Sequence, residues 1–389
     1  MKNSSTMAAL YASALCTHIC IGLLLPTIPD YARDLGVPES QLGLIANAFS
    51  LSMALSLIAF GFLSDKLGHR KMLVIALALF APGTLLYPLV SNPWQLGVVG
   101  AVRGLTCAAF IPAMAAVLID LARPGERGKA LGRFGFVTLL GTGIGPLMGG
   151  AIVRAWGFDA VFYLCAVVAT LGLMLMLLRL TSLPQKPAKE ISKAGHSWEW
   201  LGNRHGIASL SVPFLLTVGS GLIYTYLGGY VKPFGIKEDG VGFLISIMYL
   251  SSAFARAPAG AISDRVGRRP VILLGLLISI VSVVLIPSFQ SFAMLSIAAL
   301  LYGIGMGIAM TPSAALLADV AHSNARGRAM GALNTSLHLG LFAGPGIIGS
   351  LLVTSGYSAV FRTCALTLAV GLLLVFALLR GPIAKSNES

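Results

Sequence analysis

Runs of about twenty apolar residues recur along the whole chain, and this recurrence constrains the fold more than any other feature of the sequence. Two of these runs are LIANAFSLSMALSLIAFGFL and ALTLAVGLLLVFALL. A helix of about 20 residues crosses the hydrocarbon core of a bilayer, whereas a membrane β-barrel alternates apolar and polar residues in segments of about ten. The sequence therefore predicts an all-α membrane protein.

We predict twelve transmembrane helices, one for each run. The first run follows Lys2 and has no small-residue cleavage site after it, so we interpret it as a retained span and not as a signal peptide. The predicted spans 1 to 12 cover, approximately, residues 7–27, 41–63, 72–90, 94–119, 130–153, 158–180, 207–230, 240–262, 270–288, 291–317, 329–353 and 358–379.

The net charge of +13 raises the question of nucleic-acid binding, but the distribution of the charge indicates membrane topology. With both termini in the cytoplasm, 20 of the 27 Lys and Arg residues lie in inside segments, five lie in outside loops and two lie within spans. The positive-inside rule predicts this bias. We therefore expect a multi-pass protein of the cell inner membrane, with both termini cytoplasmic, that contacts lipids and no nucleic acid.

The second half of the chain repeats the first half at a constant offset of 199 residues. Six spans in each copy make the copies parallel in the membrane, related by an axis along the membrane normal. We predict two six-helix bundles with pseudo-two-fold symmetry, at 1–180 and 207–389, joined by a cytoplasmic linker at 181–206. Matching residues include Tyr31 and Tyr230, Gly36 and Gly235, Asp65 and Asp264, Asp120 and Asp319, Gly145-Pro146 and Gly344-Pro345, and Gly157 and Gly356.

Charge is concentrated in GFLSDKLGHRK, residues 61–71, between spans 2 and 3, and a similar stretch returns as GAISDRVGRR, residues 260–269. Two bundles joined by a linker can rock about a central site, which is the scheme of alternating access. We interpret the two stretches as ion-pair latches, in which Gly61 permits close helix approach. A tight basic turn that only follows the positive-inside rule is the alternative. The candidate latch residues are Gly61, Asp65, Gly68, Arg70, Asp120, Asp264 and Arg268.

Span 5 contains GTGIGPLMGG, residues 141–150, and span 11 contains a looser copy. Glycines at positions i, i+4 and i+8 share one helix face and allow a neighbouring helix to approach closely, while proline bends the helix. Generic packing of small residues is the alternative explanation. The motif residues are Gly141, Gly145, Pro146 and Gly149, repeated as Gly340, Gly344-Pro345 and Gly349.

These stretches resemble the major facilitator superfamily. Residues 61–70 are similar to its signature G-x-L-a-D-r-x-G-r-k, and GTGIGPLMGG is similar to the motif G-x-x-x-G-P-x-x-G-G of its drug:proton antiporters. The resemblance implies that the motif aspartate docks on the other bundle and stabilises the outward-open state, with Asp120 in the same network. The family's arginine is His69 here, which predicts a latch that is weakened or pH-sensitive, or else an innocuous substitution.

Ionisable residues within spans are the best pointers to the transport site. The resemblance implies that Arg103, in span 4, faces the central cavity and takes part in proton coupling or substrate binding; a structural role is the alternative. No Asp or Glu lies deep in a span, so Asp30 is the leading candidate for the proton carrier, unless it only caps a turn. The remaining candidates, each also explained by ordinary packing, are His18, Tyr224, Tyr302 and His338.

The sequence excludes an ATP-driven pump, because it contains no GxxxxGK[ST] phosphate loop, and it offers no enzyme motif, metal site or cofactor site. We expect a monomeric secondary active transporter that exports small lipophilic or amphipathic molecules in exchange for protons. The buried arginine favours neutral, zwitterionic or anionic substrates over cations. An exporter of an anionic or zwitterionic metabolite, siderophore or lipid, and an importer or uniporter of the same fold, remain open.

Overall fold

The computed structural model describes residues 2–123, 126–179, 199–321 and 326–380, and the regular structure in these ranges is entirely helical, as predicted. Short 3-10 turns follow several of the helices. The helices are α1 (Lys2–Asp34), α2 (Glu39–Ile45), α3 (Ala48–Leu67), α4 (His69–Thr84), α5 (Pro93–Leu121), α6 (Arg127–Leu177), α7 (Glu199–Gly202), α8 (Arg204–Val231), α9 (Glu238–Val266), α10 (Arg268–Leu285), α11 (Phe292–Val320), α12 (Arg326–Ile347) and α13 (Leu352–Leu378).

The helices account for the predicted spans. Ten described segments are long and apolar enough to cross a membrane. One of them, Gly128–Leu177, is 50 residues long and bends at Gly157, so it contains spans 5 and 6. Span 11 corresponds to α12, which has 22 residues but is less apolar because it carries Asn334 and His338.

Large apolar side chains cover much of the surface of the helices. Leu55, Leu89 and Phe254 are 71%, 75% and 62% exposed. Trp94 and Trp156, at the predicted outer ends of spans 4 and 5, are also exposed, in the place where tryptophan belts meet the headgroups. A surface of this kind is stable in hydrocarbon and not in water, which agrees with a membrane protein.

The two halves share backbone conformation as well as sequence. All positive-φ residues of the described chain are glycines, and they form three pairs separated by 199 residues. Only glycine adopts positive φ without strain, so these positions fix the turns between helices. The pairs are Gly36 and Gly235 (φ 77° and 75°), Gly68 and Gly267 (91° and 94°), and Gly157 and Gly356 (80° and 72°).

Matching tyrosines at the outer ends of α1 and α8 make matching hydrogen bonds. Each hydroxyl lies within hydrogen-bond distance of two backbone carbonyls in the turn after the third or the ninth span. For Tyr31 these are Tyr87 O (3.1 Å) and Val90 O (3.2 Å), and for Tyr230 they are Ile286 O (3.0 Å) and Phe289 O (3.2 Å).

The chain divides into two compact units that each borrow a short segment from the other half of the sequence. Unit 1 consists of Met1–Val37, Ala48–Ser192 and Lys237–Ser246, and unit 2 of Pro38–Asn47, Lys193–Ile236 and Ile247–Ser389. The borrowed segments are the outer ends of predicted spans 2 and 8. The predicted linker lies mostly outside the described residues, and its described end forms α7, where Trp200 is buried.

Within unit 1, the glycine face of α6 packs directly on the backbone of α1. A Cβ atom built on Gly145 would lie 2.5 Å from Gly22 C and from Ile19 O. A Cβ on Gly149 would lie 2.7 Å from Leu23 O. No side chain larger than hydrogen fits at these positions, so the glycines set the distance between the two helices.

We expect Gly145→Ala to destabilise the protein, because the added methyl group meets backbone atoms that cannot move aside. Overpacking of this kind costs about 1–3 kcal/mol. Gly135→Ala, on the same helix, is the matched control, since a Cβ there meets no atom within 4 Å. The thermal unfolding midpoint in detergent should fall only for Gly145→Ala. Equal midpoints for the two variants would contradict close packing of the glycine face of α6 on α1.

Candidate functional site

The predicted latch of the second half forms an ion-pair network around Arg268. Its guanidinium pairs with Asp264, donates to Ser263 Oγ (2.9 Å), and lies 3.5 Å from Asp319 Oδ2 through Nε. The network joins the end of α9, the start of α10 and the end of α11. Gly267, with positive φ, makes the turn that brings these groups together.

The first half builds the same arrangement around His69, with one bond fewer. His69 Nδ1 lies 2.9 Å from Ser64 Oγ, and Nε2 lies 3.7 Å from Asp65 Oδ1. These partners stand 199 residues before Ser263 and Asp264, so His69 occupies the place of Arg268. An imidazole is shorter than an arginine side chain and has no third donor group.

Two other predicted latch residues behave differently from expectation. A Cβ atom built on Gly61 meets no atom within 4 Å, so the close helix approach that we expected there is not seen. Arg70 is half-buried and forms no ion pair with any residue in the described ranges. Asp120 lies at the end of α5, in the position that corresponds to Asp319.

The motif of span 5 has a second face, which contacts the segment that unit 1 borrows from α9. A Cβ atom on Gly242 would collide with Pro146 O, and one on Gly150 with Glu238 O. Unit 2 repeats this contact: a Cβ on Gly43, in α2, would collide with Pro345 O of α12. The copy in α12 packs its other face on α8, where a Cβ on Gly344 would lie 2.5 Å from Val218 O. The two motifs therefore each join two helices.

Arg103 lies inside unit 1. It is 3% exposed, and its guanidinium carbon lies 5.5 Å from the Phe49 ring centroid and 5.1 Å from that of Phe80. The Tyr87 hydroxyl interacts with its charge. Its Nε and Nη2 atoms have no hydrogen-bond partner, and no carboxylate among the described residues pairs with it. An unpaired charge in a bundle interior is costly, so Arg103 stays a candidate for the transport site.

Tyr302 occupies the matching position in unit 2, 199 residues after Arg103. It is fully buried, and its hydroxyl donates to Leu216 O. The tyrosine packs over Gly219, where a Cβ would meet its ring. At this buried position the second half therefore carries a neutral polar group that already has a hydrogen-bond partner.

Asp30, the predicted proton carrier, lies at the outer end of α1 and pairs with Arg33 at 2.6 Å. Both side chains are about one-fifth exposed, at 22% and 20%. The pair joins residues one turn apart on the same helix, which is a local contact at the mouth of the bundle. His338, on α12, is half-buried.

His18 lies near the middle of α1 and is 7% exposed. Its Nδ1 lies 2.9 Å from Ala14 O, while no described residue hydrogen-bonds Nε2. The ring lies against two aromatic side chains, with centroid distances of 6.2 Å to Phe110 and 6.4 Å to Phe134. The motif glycine Gly141 packs on this turn of α1, since a Cβ there would lie 2.9 Å from His18 Cβ.

Sequence reasoning missed Asn47. This residue is 1% exposed, lies in the break between α2 and α3, and belongs to unit 2. Its amide nitrogen lies 3.2 Å from both Gly43 O and Thr225 Oγ1, and the hydroxyl of the predicted site residue Tyr224 donates to its Oδ1. An asparagine within an apolar run was the available signal, because a buried amide needs partners.

Comparison with known proteins identifies the family. The sequence model of the Major Facilitator Superfamily matches residues 10–212 and 209–389, which together cover nearly the whole chain. The chain belongs to this superfamily. It is therefore a membrane transporter and not an enzyme, and the resemblance of its motifs is confirmed at the level of the family.

Similar proteins are found at modest identity. An uncharacterized MFS-type transporter of Methanocaldococcus jannaschii is 25% identical over 378 residues, 96% of this chain and 98% of that protein. The multidrug resistance protein MdtG of Klebsiella pneumoniae is 26% identical over 384 residues, 96% and 93% of the two chains. A crystal structure of a bacterial homolog of the human lysosomal transporter Spinster matches with a TM-score of 0.80 at 15% identity, over 97% of each chain, which supports the fold alone.

We expect His69→Arg to give the first latch the chemistry of the second. Histidine is charged only when it is protonated, whereas arginine stays charged, so the variant should flatten the pH dependence of the transport rate. Arg268→His is the matched control and should add pH dependence. Transport rates measured in vesicles clamped at different pH values test this, and profiles unchanged in both variants would contradict a latch role for position 69.

Proposed function

We propose that this transporter exports small lipophilic or amphipathic molecules in exchange for protons, by alternating access between its two bundles. The observation that supports this most is the two-faced glycine motif of α6. It packs on α1 through Gly141, Gly145 and Gly149 and on α9 through Pro146 and Gly150. Backbone contact on both faces fixes the distances from α6 to α1 and to α9. The three helices can then move together as one rigid body during alternating access.

The names of relatives agree with export. The Klebsiella pneumoniae relative is named a multidrug resistance protein, and its similarity extends over nearly the full length of both chains. The motif in α6 resembles the one that distinguishes drug:proton antiporters. Together these points favour an exporter over an importer or uniporter of the same fold.

The charge inside unit 1 favours an acidic, zwitterionic or neutral substrate over a cation. Two nitrogen atoms of Arg103, Nε and Nη2, have no acceptor, and no carboxylate in the described residues balances the charge. An acidic substrate group that reached these donors would form charge-assisted hydrogen bonds, which are the strong ones. An exporter of an anionic or zwitterionic metabolite, siderophore or lipid is therefore the second candidate, carried by the same arginine.

Transport in everted membrane vesicles tests the proposed exchange. The probes are three fluorescent dyes of similar size and different charge: anilinonaphthalene sulfonate, phenyl-naphthylamine and ethidium. With an acidic vesicle interior, we expect the anionic or neutral dye to accumulate inside, and accumulation to cease when nigericin removes the pH gradient. Vesicles without the protein are the control. Dye movement that ignores the pH gradient would contradict antiport, and preferential accumulation of ethidium would contradict the substrate class.

Arg103→Met separates a transport role from a structural one. Methionine fills a similar volume without charge, and removing an unpaired buried charge is neutral or stabilising, so the thermal midpoint should stay or rise. Loss of a charge-assisted hydrogen bond should lower transport of the anionic dye about tenfold or more, with the neutral dye much less affected. Tyr302→Phe, at the matching position, is the control. A lower midpoint with unchanged dye preference would assign Arg103 to structure.

A further inference from the structure

The proposed exchange requires a group inside the membrane that binds and releases a proton, and carboxylates do not supply it. No Asp or Glu lies deep in a span, and Asp30 is paired with Arg33 at the outer end of α1. His18 lies 13 residues after Ser5 in a span that ends at Asp34, which places it about 20 Å along the helix, near its centre. Histidine is the side chain that exchanges protons near neutral pH.

The tautomer of His18 follows from its one hydrogen bond. Ala14 O can only accept, so Nδ1 must carry the hydrogen and donate. In the neutral ring, Nε2 therefore holds a lone pair, and no described residue donates to it. A proton can bind at Nε2 without breaking the bond from Nδ1, and the ring stays in place when its charge changes.

The second half of the chain shows that packing alone does not require a histidine here. Thr217 matches His18 at the offset of 199 and makes the same bond to the carbonyl four residues earlier, Pro213 O, at 2.7 Å. A further bond of 2.7 Å joins its hydroxyl to Leu337 O. The glycine opposite also matches, since a Cβ on Gly340 would collide with the Thr217 hydroxyl. The hydroxyl of Thr217 therefore has hydrogen-bond partners at this position without a histidine ring.

The side chains around this position also differ between the two halves of the chain. Phe110 and Phe134 lie against His18, whereas the residues at matching positions in unit 2 are Ala309 and Leu333. The first half thus combines a histidine with two aromatic neighbours, while the second half has none of the three.

No charged side chain of the described residues acts on the imidazole. On α1, the charges are confined to Lys2 and to the outer end from Asp30. On α5, Arg103 lies two turns from Phe110, against Phe80 and Phe49, and Cys107 lies near it. On α6, Arg133 adjoins Phe134 and acts on the Tyr11 hydroxyl. Proton binding at His18 therefore changes the local charge from zero to +1.

We propose that Nε2 of His18 binds the proton that is exchanged for substrate, an inference that rests on the proposed antiport. The lone pair takes up one proton from the outer side and the ring becomes an imidazolium. The same proton leaves to the cytoplasm and the ring returns to neutral, with no other bond made or broken. Gly141 holds this turn of α1 against α6, which links the glycine motif to the proton site.

Two assays on the reconstituted protein, both with anilinonaphthalene sulfonate as the probe, test this assignment. The first measures uphill accumulation driven by a pH gradient, and the second measures exchange of probe for probe without a gradient, which needs no net proton step. His18→Thr, which copies the second half, should lose gradient-driven accumulation about tenfold or more and keep probe exchange within about twofold. Thr217→Val, at the matching position, should keep both.

The outcomes separate this inference from the proposed function. If the wild-type protein transports the probe without responding to the gradient, the antiport fails and the assignment fails with it. If the wild-type protein responds and His18→Thr responds equally, only the assignment to His18 is overturned. Loss of both activities in folded His18→Thr, or loss of the gradient response in Thr217→Val, would assign the position to packing and would also overturn it.

A spectroscopic readout tests the tautomer independently of transport. Nitrogen-15 spectra of protein with labelled histidine, with the His18 signal assigned by its loss in His18→Thr, should show a protonated Nδ1 and an unprotonated Nε2 at high pH. Acidification should protonate Nε2 alone. A signal of the opposite tautomer, or one that stays neutral down to the pH at which the protein unfolds, would contradict the proposal.

Discussion

Direct contact between the backbones of α6 and α1 is the interaction on which the rest of unit 1 depends. Within hydrocarbon there is no hydrophobic force to join helices, so they associate through close van der Waals packing. Glycines on α6 allow this by removing every side-chain atom between the two backbones. The contact places the turn of α1 that carries His18 against α6, and the other face of the motif holds the start of α9.

The fold could be predicted because the length of the apolar runs gives the membrane spans, and the offset of 199 shows which residues of the two halves correspond in backbone position. Gly157 and Gly356 correspond in sequence at this offset, and both have positive φ. Tyr31 and Tyr230 also correspond, and each makes the equivalent hydrogen bonds in its own half. The site was harder to predict. Arg103 lies in a helix that is apolar on all sides, so periodicity could not say which neighbours it faces. Asn47 is uncharged, and the segment that contains it is still apolar enough to cross a membrane.

The duplication supplies an internal reference for the chemistry of each position. At three matched positions the two halves differ in a functional group: His18 against Thr217, Arg103 against Tyr302, and His69 against Arg268. In each pair the second half makes hydrogen bonds or ion pairs that the first half lacks. Since both halves share one backbone plan, packing does not force these differences. At His18 and Arg103 the first half keeps side-chain nitrogens without a partner among the described residues, which a proton or an acidic ligand would supply under the proposed function.

Arg103 shows why incomplete bonding suits a transporter. A buried donor without an acceptor costs about 1–3 kcal/mol, and more when it is charged, so an acceptor that reached Arg103 would stabilise the protein. A proposed acidic substrate group would supply that acceptor and would stabilise the conformation that admits it. A ligand shifts a conformational equilibrium only by its difference in affinity for the two states. The proposed hydrogen bonds from Arg103 to a substrate would provide such a difference, whereas Tyr302, whose hydroxyl already donates to Leu216 O, would not.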